Sequence, residues 1–149
     1  MEISFNEFKR VHLMGIGGAG MSALAILLND KGIEVSGCDL KEPHYELKNI
    51  PFEIGHSKEH IKNFKPDALI LSSAVSHDNP EVIEAINNGV KIFSRAEALS
   101  PFFNESEGIG IAGAHGKTTT SSMTGLIFLK AGLNPTLYIG ANVPDIGGN

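Results

Sequence analysis

The sequence predicts an α/β protein: a mostly parallel sheet with helices on both faces, followed by the opening β-α-β of a second sheet. Three observations predict it. Short apolar runs alternate with helix-length segments along the chain, the order that builds parallel sheets. Two glycine-rich loops, "GIGGAG" and "GAHGK", each stand between an apolar run and a helical segment. A polar stretch, "NESE" at 104–107, breaks the pattern once and reads as a linker. The expected division is therefore 1–105 for the first domain and 106–149 for the start of a second.

Taken in order, residues 11–14 are apolar and run into glycines, as a buried strand does. A helix follows at 18–31, with Met21, Leu24, Ala25, Leu27 and Leu28 as its apolar stripe and Gly32 as its stop. Residues 34–38 make a second strand, with Asp39 at its carboxyl end. "PFEIG" is a third strand and 59–64 a short helix. "PDALILSSA" carries the fourth, at 67–72. Asn79, Pro80 and Glu81 open a helix, since Asn caps well and Pro tolerates the first helical position. Gly89 ends it, and 91–94 is the fifth strand. Ser94 and Glu97 have capping-box spacing for the next helix. Beyond the linker come a strand at 108–112, a loop, a helix at 118–131 stopped by Gly132, and a strand at 136–139.

Composition excludes several classes. The 149 residues carry a net charge of −5 with both signs interspersed. No basic stripe offers itself to nucleic acid or to a membrane surface. One cysteine, Cys38, excludes an internal disulfide framework and suits a reducing compartment. The polar "MEISFNEFKR" start is unlike a secretory signal, and no apolar run is long enough to span a bilayer. A cytoplasmic, soluble protein is expected.

Gly15, Gly17 and Gly20 have the spacing G-x-G-x-x-G between a strand and a helix. Such a loop turns backbone N–H groups toward an anion, and the helix N-terminus adds partial positive charge. Gly15 suits the tight turn, Gly17 the close approach of a pyrophosphate, and Gly20 the packing of helix on strand. Ile16, Gly18 and Ala19 complete the cradle. These features make the first domain Rossmann-like. Asp39 fits an acid that accepts from a ribose hydroxyl or a base N–H, or simply a turn residue. Spacing alone leaves NAD and a UDP-type nucleotide both open.

The second loop runs Gly113, Ala114, His115, Gly116, Lys117, Thr118, Thr119. It has the G-K-T core of a P-loop, in which amides surround phosphate oxygens, a lysine neutralises β/γ charge and a hydroxyl binds Mg²⁺. Lys117 and Thr118 fit the last two roles. The full G-x-x-x-x-G-K-[ST] form needs a glycine where Ile111 stands. His115 either touches phosphate or shapes the loop.

The motifs "HLMGIGGAGMSALA", "GCDL", "LILSSAVSHDNPEV", "SRAEAL", "GIAGAHGKTTTSSM" and "DIGGN" together resemble the Mur ligase family, over nearly the whole chain from His12 to Asn149. That family's second loop is short, which accounts for Ile111; its usual Thr after the first loop glycine is Ala114 here. The resemblance implies that the first loop holds the diphosphate of UDP-N-acetylmuramate and the second holds ATP with Mg²⁺. It implies a ligase of peptidoglycan precursor synthesis. ATP phosphorylates the sugar's carboxylate, and the amino group of L-alanine displaces phosphate. The member that recycles murein tripeptide fits less well, because its first loop typically lacks the middle glycine that Gly17 supplies.

The resemblance further implies that Lys117 and Thr118 are catalytic, with Thr118 on the metal. Ser72, Ser73 and Asn79 lie where the UDP-sugar would bind, or serve as turn and cap residues. Arg95 contacts the sugar nucleotide or only begins a helix. The rest of the ATP-binding domain and the L-alanine site are expected to lie outside these residues, so this chain is expected to bind UDP-sugar without turnover. The rival readings are a nicotinamide-dependent oxidoreductase and a nucleotide-binding module; a homodimer is also admitted. His56 and His60, four apart with no third ligand nearby in sequence, are expected at the surface. Cys38 is expected to be a buried small residue rather than a nucleophile.

Overall fold

The computed structural model describes residues 7–43, 47, 49–141, 143 and 144. The "DIGGN" motif, beginning at Asp145, lies outside them. Five strands form one all-parallel sheet: β1 (Arg10–Met14), β2 (Glu34–Asp39), β3 (Phe52–Ile54), β4 (Ala68–Leu71) and β5 (Lys91–Ser94). Their order across the sheet is β3-β2-β1-β4-β5. Helices α1 (Ala19–Asp30), α2 (Lys58–Phe64) and α3 (Pro80–Asn87) connect strands, and α4 (Arg95–Asn104) and α5 (Lys117–Lys130) follow the last one. No described helix is long and apolar enough to cross a membrane.

The alternation of strand side chains sorts the core into two layers. Val11, Leu13, Val35, Ala68 and Ile70 meet Met21, Leu24, Ala25 and Leu28 of α1 and Ala98 of α4. On the opposite face Met14, Cys38, Leu69 and Leu71 meet Ile61 of α2 and Val82 and Ala85 of α3. Parallel strands covered on both faces read as continuous apolar runs, as "ALIL" does in β4.

The helix starts follow their sequence signals. The Asn79 carboxamide oxygen accepts from the Glu81 N–H, with Pro80 at the first helical position. At α4 the Ser94 hydroxyl accepts from the Glu97 N–H while the Glu97 carboxylate accepts from the Ser94 N–H. The Ser94 hydroxyl also donates to that carboxylate, and this bond, with the Ser94 N–H, holds the Glu97 carboxyl below its ordinary range.

One expectation fails. The segments 108–112 and 136–139 are not strands, and the described residues form a single sheet. A strand requires a neighbouring ladder, and neither segment has one. The helix between them does form. It packs on the following segment where Gly125 lies under Leu137; a Cβ there would stand 2.8 Å from the Leu137 methyl.

Gly37 of β2 shows how tightly the sheet centre is filled. A Cβ at this position would lie 2.5 Å from Ile16 Cδ1 and 2.7 Å from the Leu13 carbonyl oxygen. The backbone oxygen cannot swing aside. Gly37→Ala should destabilise the chain by about 1–3 kcal/mol through overpacking, read as a lower urea midpoint with unchanged far-ultraviolet circular dichroism.

Candidate functional site

In this strand order the chain leaves β1 toward β2 on one side and reaches β4 and β5 on the other. The crevice above the carboxyl ends of β1 and β4 is the position where open α/β sheets take ligands. Four sequence-predicted groups converge on it: the first glycine loop after β1, Asp39 after β2, Ser72 and Ser73 after β4, and Arg95 after β5.

The loop is built by the strand beside it. The Cys38 carbonyl accepts from the N–H of Gly15 at 2.8 Å and of Ile16 at 3.1 Å, and the Gly15 carbonyl accepts from Gly18 at 3.2 Å. Gly15 has φ +84°, a conformation that a side chain would strain, and its missing Cβ would stand 2.7 Å from Ser72 Cβ. The Ile16 side chain is fully buried in the core, so only its backbone faces the crevice. The Ser22 hydroxyl closes the turn by donating to the Ile16 carbonyl at 2.6 Å.

Asp39 is committed to the backbone. Its Oδ2 accepts from the Gly17 N–H at 2.9 Å and its Oδ1 from the Lys41 N–H at 3.3 Å. Across the crevice the Arg95 guanidinium covers Gly20, where a Cβ would meet Nη1 at 2.7 Å. Tyr138 reaches the same residue and donates to the Gly20 carbonyl at 2.8 Å. Burial pushes its phenol above the ordinary range, with Arg95 pulling the other way. Ser72, Ser73, His77 and Arg95 line one cleft of about 430 Å³. Asn79 is occupied as the α3 cap.

The second loop, 113–119, is exposed throughout. Gly116 holds a left-handed conformation at the start of α5, with φ +77°. The Lys117 ammonium folds back to donate to the carbonyls of Gly113, at 2.5 Å, and Ala114, at 3.2 Å. The lysine thus curls its own loop around the helix N-terminus.

The sequence expectation for His56 and His60 is overturned. His60 is buried and His56 nearly so, and both face Glu81 of α3. The Glu81 carboxylate is fully buried, 2.9 Å from His12 Nε2, 3.1 Å from His60 Nδ1 and 3.4 Å from Cys38 Sγ. The Ser57 N–H also donates to it at 3.2 Å. Burial works against its ionisation, but the His12 and His60 rings outweigh that and hold the carboxyl below its ordinary range. Burial first, and then the Glu81 charge, push the Cys38 thiol far up. Cys38 is therefore a protonated core residue in this arrangement, as its sequence setting suggested. Sequence reasoning treated Glu81 as a helix-start residue only. The available signal was His12, a polar side chain inside a strand buried on both faces.

Residues 10–107 match the Mur ligase family, catalytic domain. The chain belongs to the Mur ligase family. Among its relatives, the UDP-N-acetylmuramate–L-alanine ligase of Geotalea uraniireducens is 42% identical over 97% of this chain. The alignment spans 32% of that relative's length. The crystal structure of the UDP-N-acetylmuramate-alanine ligase of Thermotoga maritima superposes with a TM-score of 0.82 at 30% identity. It covers 96% of this chain and 34% of that one. The UDP-N-acetylmuramate:L-alanyl-gamma-D-glutamyl-meso-diaminopimelate ligase of Neisseria meningitides superposes with a TM-score of 0.76 at 31% identity, over 83% of this chain and 40% of its own. The family match takes in the first glycine loop and the buried cluster, and the alignment over 97% of the chain takes in the second loop as well.

Removing the Glu81 carboxylate leaves the His60 ring and the Ser57 N–H without their buried acceptor. Glu81→Ala should cost at least about 1–3 kcal/mol, the scale for leaving a buried polar partner unsatisfied. Urea unfolding checks it, with the surface change Glu84→Ala as the near-neutral reference.

Proposed function

We propose that this chain supplies the nucleotide-sugar site and the ATP loop of a ligase joining L-alanine to UDP-N-acetylmuramate. The carrying observation is the glycine loop at the switch point of the sheet, with Asp39 fastened across it. Both Asp39 oxygens accept from backbone N–H groups, of Gly17 and Lys41, and each keeps a lone pair for a nucleotide hydroxyl or N–H. The choice of a UDP-nucleotide over a nicotinamide one is supported by the family and the relatives' names.

In this reading the amides around Gly15–Gly20 and the positive end of α1 receive the diphosphate, and Arg95 closes over it from β5. Ser72 and Ser73 line the cleft beside the sugar. The residues of 113–119 fit ATP: the Lys117 ammonium already sits on carbonyl oxygens that β/γ-phosphate oxygens would replace, and Thr118 would hold Mg²⁺. The bound ATP supplies the phosphoryl group that turns the substrate carboxylate into an acyl phosphate. The amine of L-alanine then attacks the acyl carbon, the amide C–N bond forms, the C–O bond to phosphate breaks, and phosphate leaves. The protein's share is to align anions and neutralise charge. We divide the chain at residue 105 between these two tasks and place it in the cytoplasm, in keeping with its one buried, free cysteine.

Gly17→Val tests the first loop. Its side chain would meet the Asp39 carboxylate at about 3 Å and occupy the path of a pyrophosphate. Calorimetry should show loss of UDP-N-acetylmuramate binding while circular dichroism stays native. Unchanged affinity overturns the assignment. Lys117→Ala tests the second: ATP binding should weaken at least about tenfold, the loss of a charge-assisted contact, while UDP-sugar affinity holds. Equal losses of both ligands would mean that the loops do not act separately.

A further inference from the structure

Beneath the glycine loop, on the α2/α3 face of the sheet, lies a set of donors that the ligase chemistry does not use. We propose that His12, Cys38, His60 and Glu81 form a closed structural site for one zinc ion. Each offers one ligand atom, and all of these atoms lie within 4.8 Å of one another. Their residues are 2%, 0%, 7% and 0% exposed.

The spacing suits a tetrahedral ion. Ligand atoms bound to zinc at about 2.0–2.3 Å stand roughly 3.3–3.7 Å apart. Glu81 Oε1 is 2.9 Å from His12 Nε2 and 3.1 Å from His60 Nδ1, and its carboxylate is 3.4 Å from Cys38 Sγ. Oε1, the oxygen nearest both histidines, is 3.6 Å from Cys38 Sγ. The short carboxylate contacts must open by a few tenths of an ångström, and the widest pair, at up to 4.8 Å, must close by about 1 Å, to reach the tetrahedral edge. The mixed nitrogen, sulfur and oxygen set selects zinc over magnesium or calcium, which take oxygen ligands.

Two independent features point to a missing centre. His12 Nε2 is buried 2.9 Å from Glu81 Oε1, an ion-pair distance, without a hydrogen bond of good geometry. A buried ring nitrogen left without a hydrogen bond costs free energy unless something else takes its lone pair. The outer contacts are those of metal ligands as well. His12 turns its other nitrogen to the Ser36 hydroxyl at 2.7 Å, and His60 turns its own to the Glu53 carboxylate at 3.4 Å. Such partners fix the ring orientation of metal-binding histidines. His56 Nδ1, 3.2 Å from Cys38 Sγ, and the Ser57 N–H on Glu81 complete that outer ring.

Charge closes as well. One thiolate, one carboxylate and two neutral imidazoles carry −2, which Zn²⁺ cancels, so the buried site is neutral overall. Binding forms four metal–ligand bonds and releases the thiol proton to solvent. The four ligands come from β1, β2, α2 and α3. The Cys38 backbone carbonyl is the one that holds the Gly15 and Ile16 N–H groups, so the ion would brace the loop from below.

The test uses the purified chain, stripped with a chelator under reducing conditions and titrated with Zn²⁺ or Co²⁺. Expected are one ion per chain, a raised thermal midpoint, and a thiolate-to-cobalt charge-transfer band. Cys38→Ser and His60→Gln should each weaken zinc at least about tenfold, with Glu84→Gln binding like the parent chain. Zinc-edge X-ray absorption on the parent chain needs no variant and should show one sulfur neighbour at about 2.3 Å. A shell of nitrogen and oxygen alone, a cobalt spectrum without the thiolate band, or undiminished zinc binding by a folded Cys38→Ser overturns the site. Zinc stoichiometry and the sulfur shell are read without nucleotide, and UDP-N-acetylmuramate binding by the zinc-loaded chain tests the nucleotide reading, so the two stand or fall apart.

Discussion

One buried anion organises a face of this molecule. Glu81 enters α3 two residues after its cap, where the first-turn amides and the helix dipole favour a negative charge. It has no access to water, so its surroundings must satisfy it. That requirement explains why strands otherwise built of Val, Leu, Ile and Ala carry His12, Ser36 and Cys38 toward α2 and α3. The opposite face answers to no such demand and is filled by hydrocarbon. The sheet therefore has one side filled by hydrocarbon alone and another in which a polar cluster around Glu81 is set into a hydrocarbon layer. Exchanging residues between the two would leave an anion stranded or a cavity unfilled.

The polar side also reaches the crevice. β1 carries His12 and runs into Gly15; β2 carries Cys38 and runs into Asp39; α3 carries Glu81 just beyond the loop that follows Ser72. A displacement within the cluster is thus transmitted through at most a few backbone units to the groups that would hold a diphosphate. The loop is closed by its own hydrogen bonds, from Cys38 and Gly15 carbonyls and the Asp39 carboxylate. Little of it needs to be ordered on binding, which spares the conformational entropy that a loose loop would lose.

Much of this was legible before any coordinates. The five strands declared themselves as apolar runs ending in glycine or polar residues, and the caps at Asn79 and Ser94 were local signals between near neighbours. The convergence of the glycine loop, Asp39, Ser72 and Arg95 followed from parallel topology, which delivers every strand's carboxyl end to one edge. The cluster around Glu81 was hidden for a complementary reason. His12, Cys38, His60 and Glu81 are far apart in the chain, and no periodicity links them; only the folded sheet brings them together. The unpaired segments 108–112 and 136–139 show the limit from another side. Their apolar composition indicates a taste for a ladder, but pairing is a property of two segments, and a single sequence run cannot supply its own neighbour.

The parallel arrangement has a kinetic consequence. No two adjacent strands are joined by a hairpin: Val11 pairs with Val35 on one side and with Ala68 on the other. Each ladder must wait for a crossover connection, a helix in the case of β1–β2, so loop-closure entropy is lost before any pairing compensates for it. Such contact patterns place a chain toward the slow end of small-domain folding. While β1 waits for its two neighbours, "VHLM" and "ALIL" stand open to other molecules. Newly made chain at high concentration is then exposed to a race between crossover closure and intermolecular strand pairing.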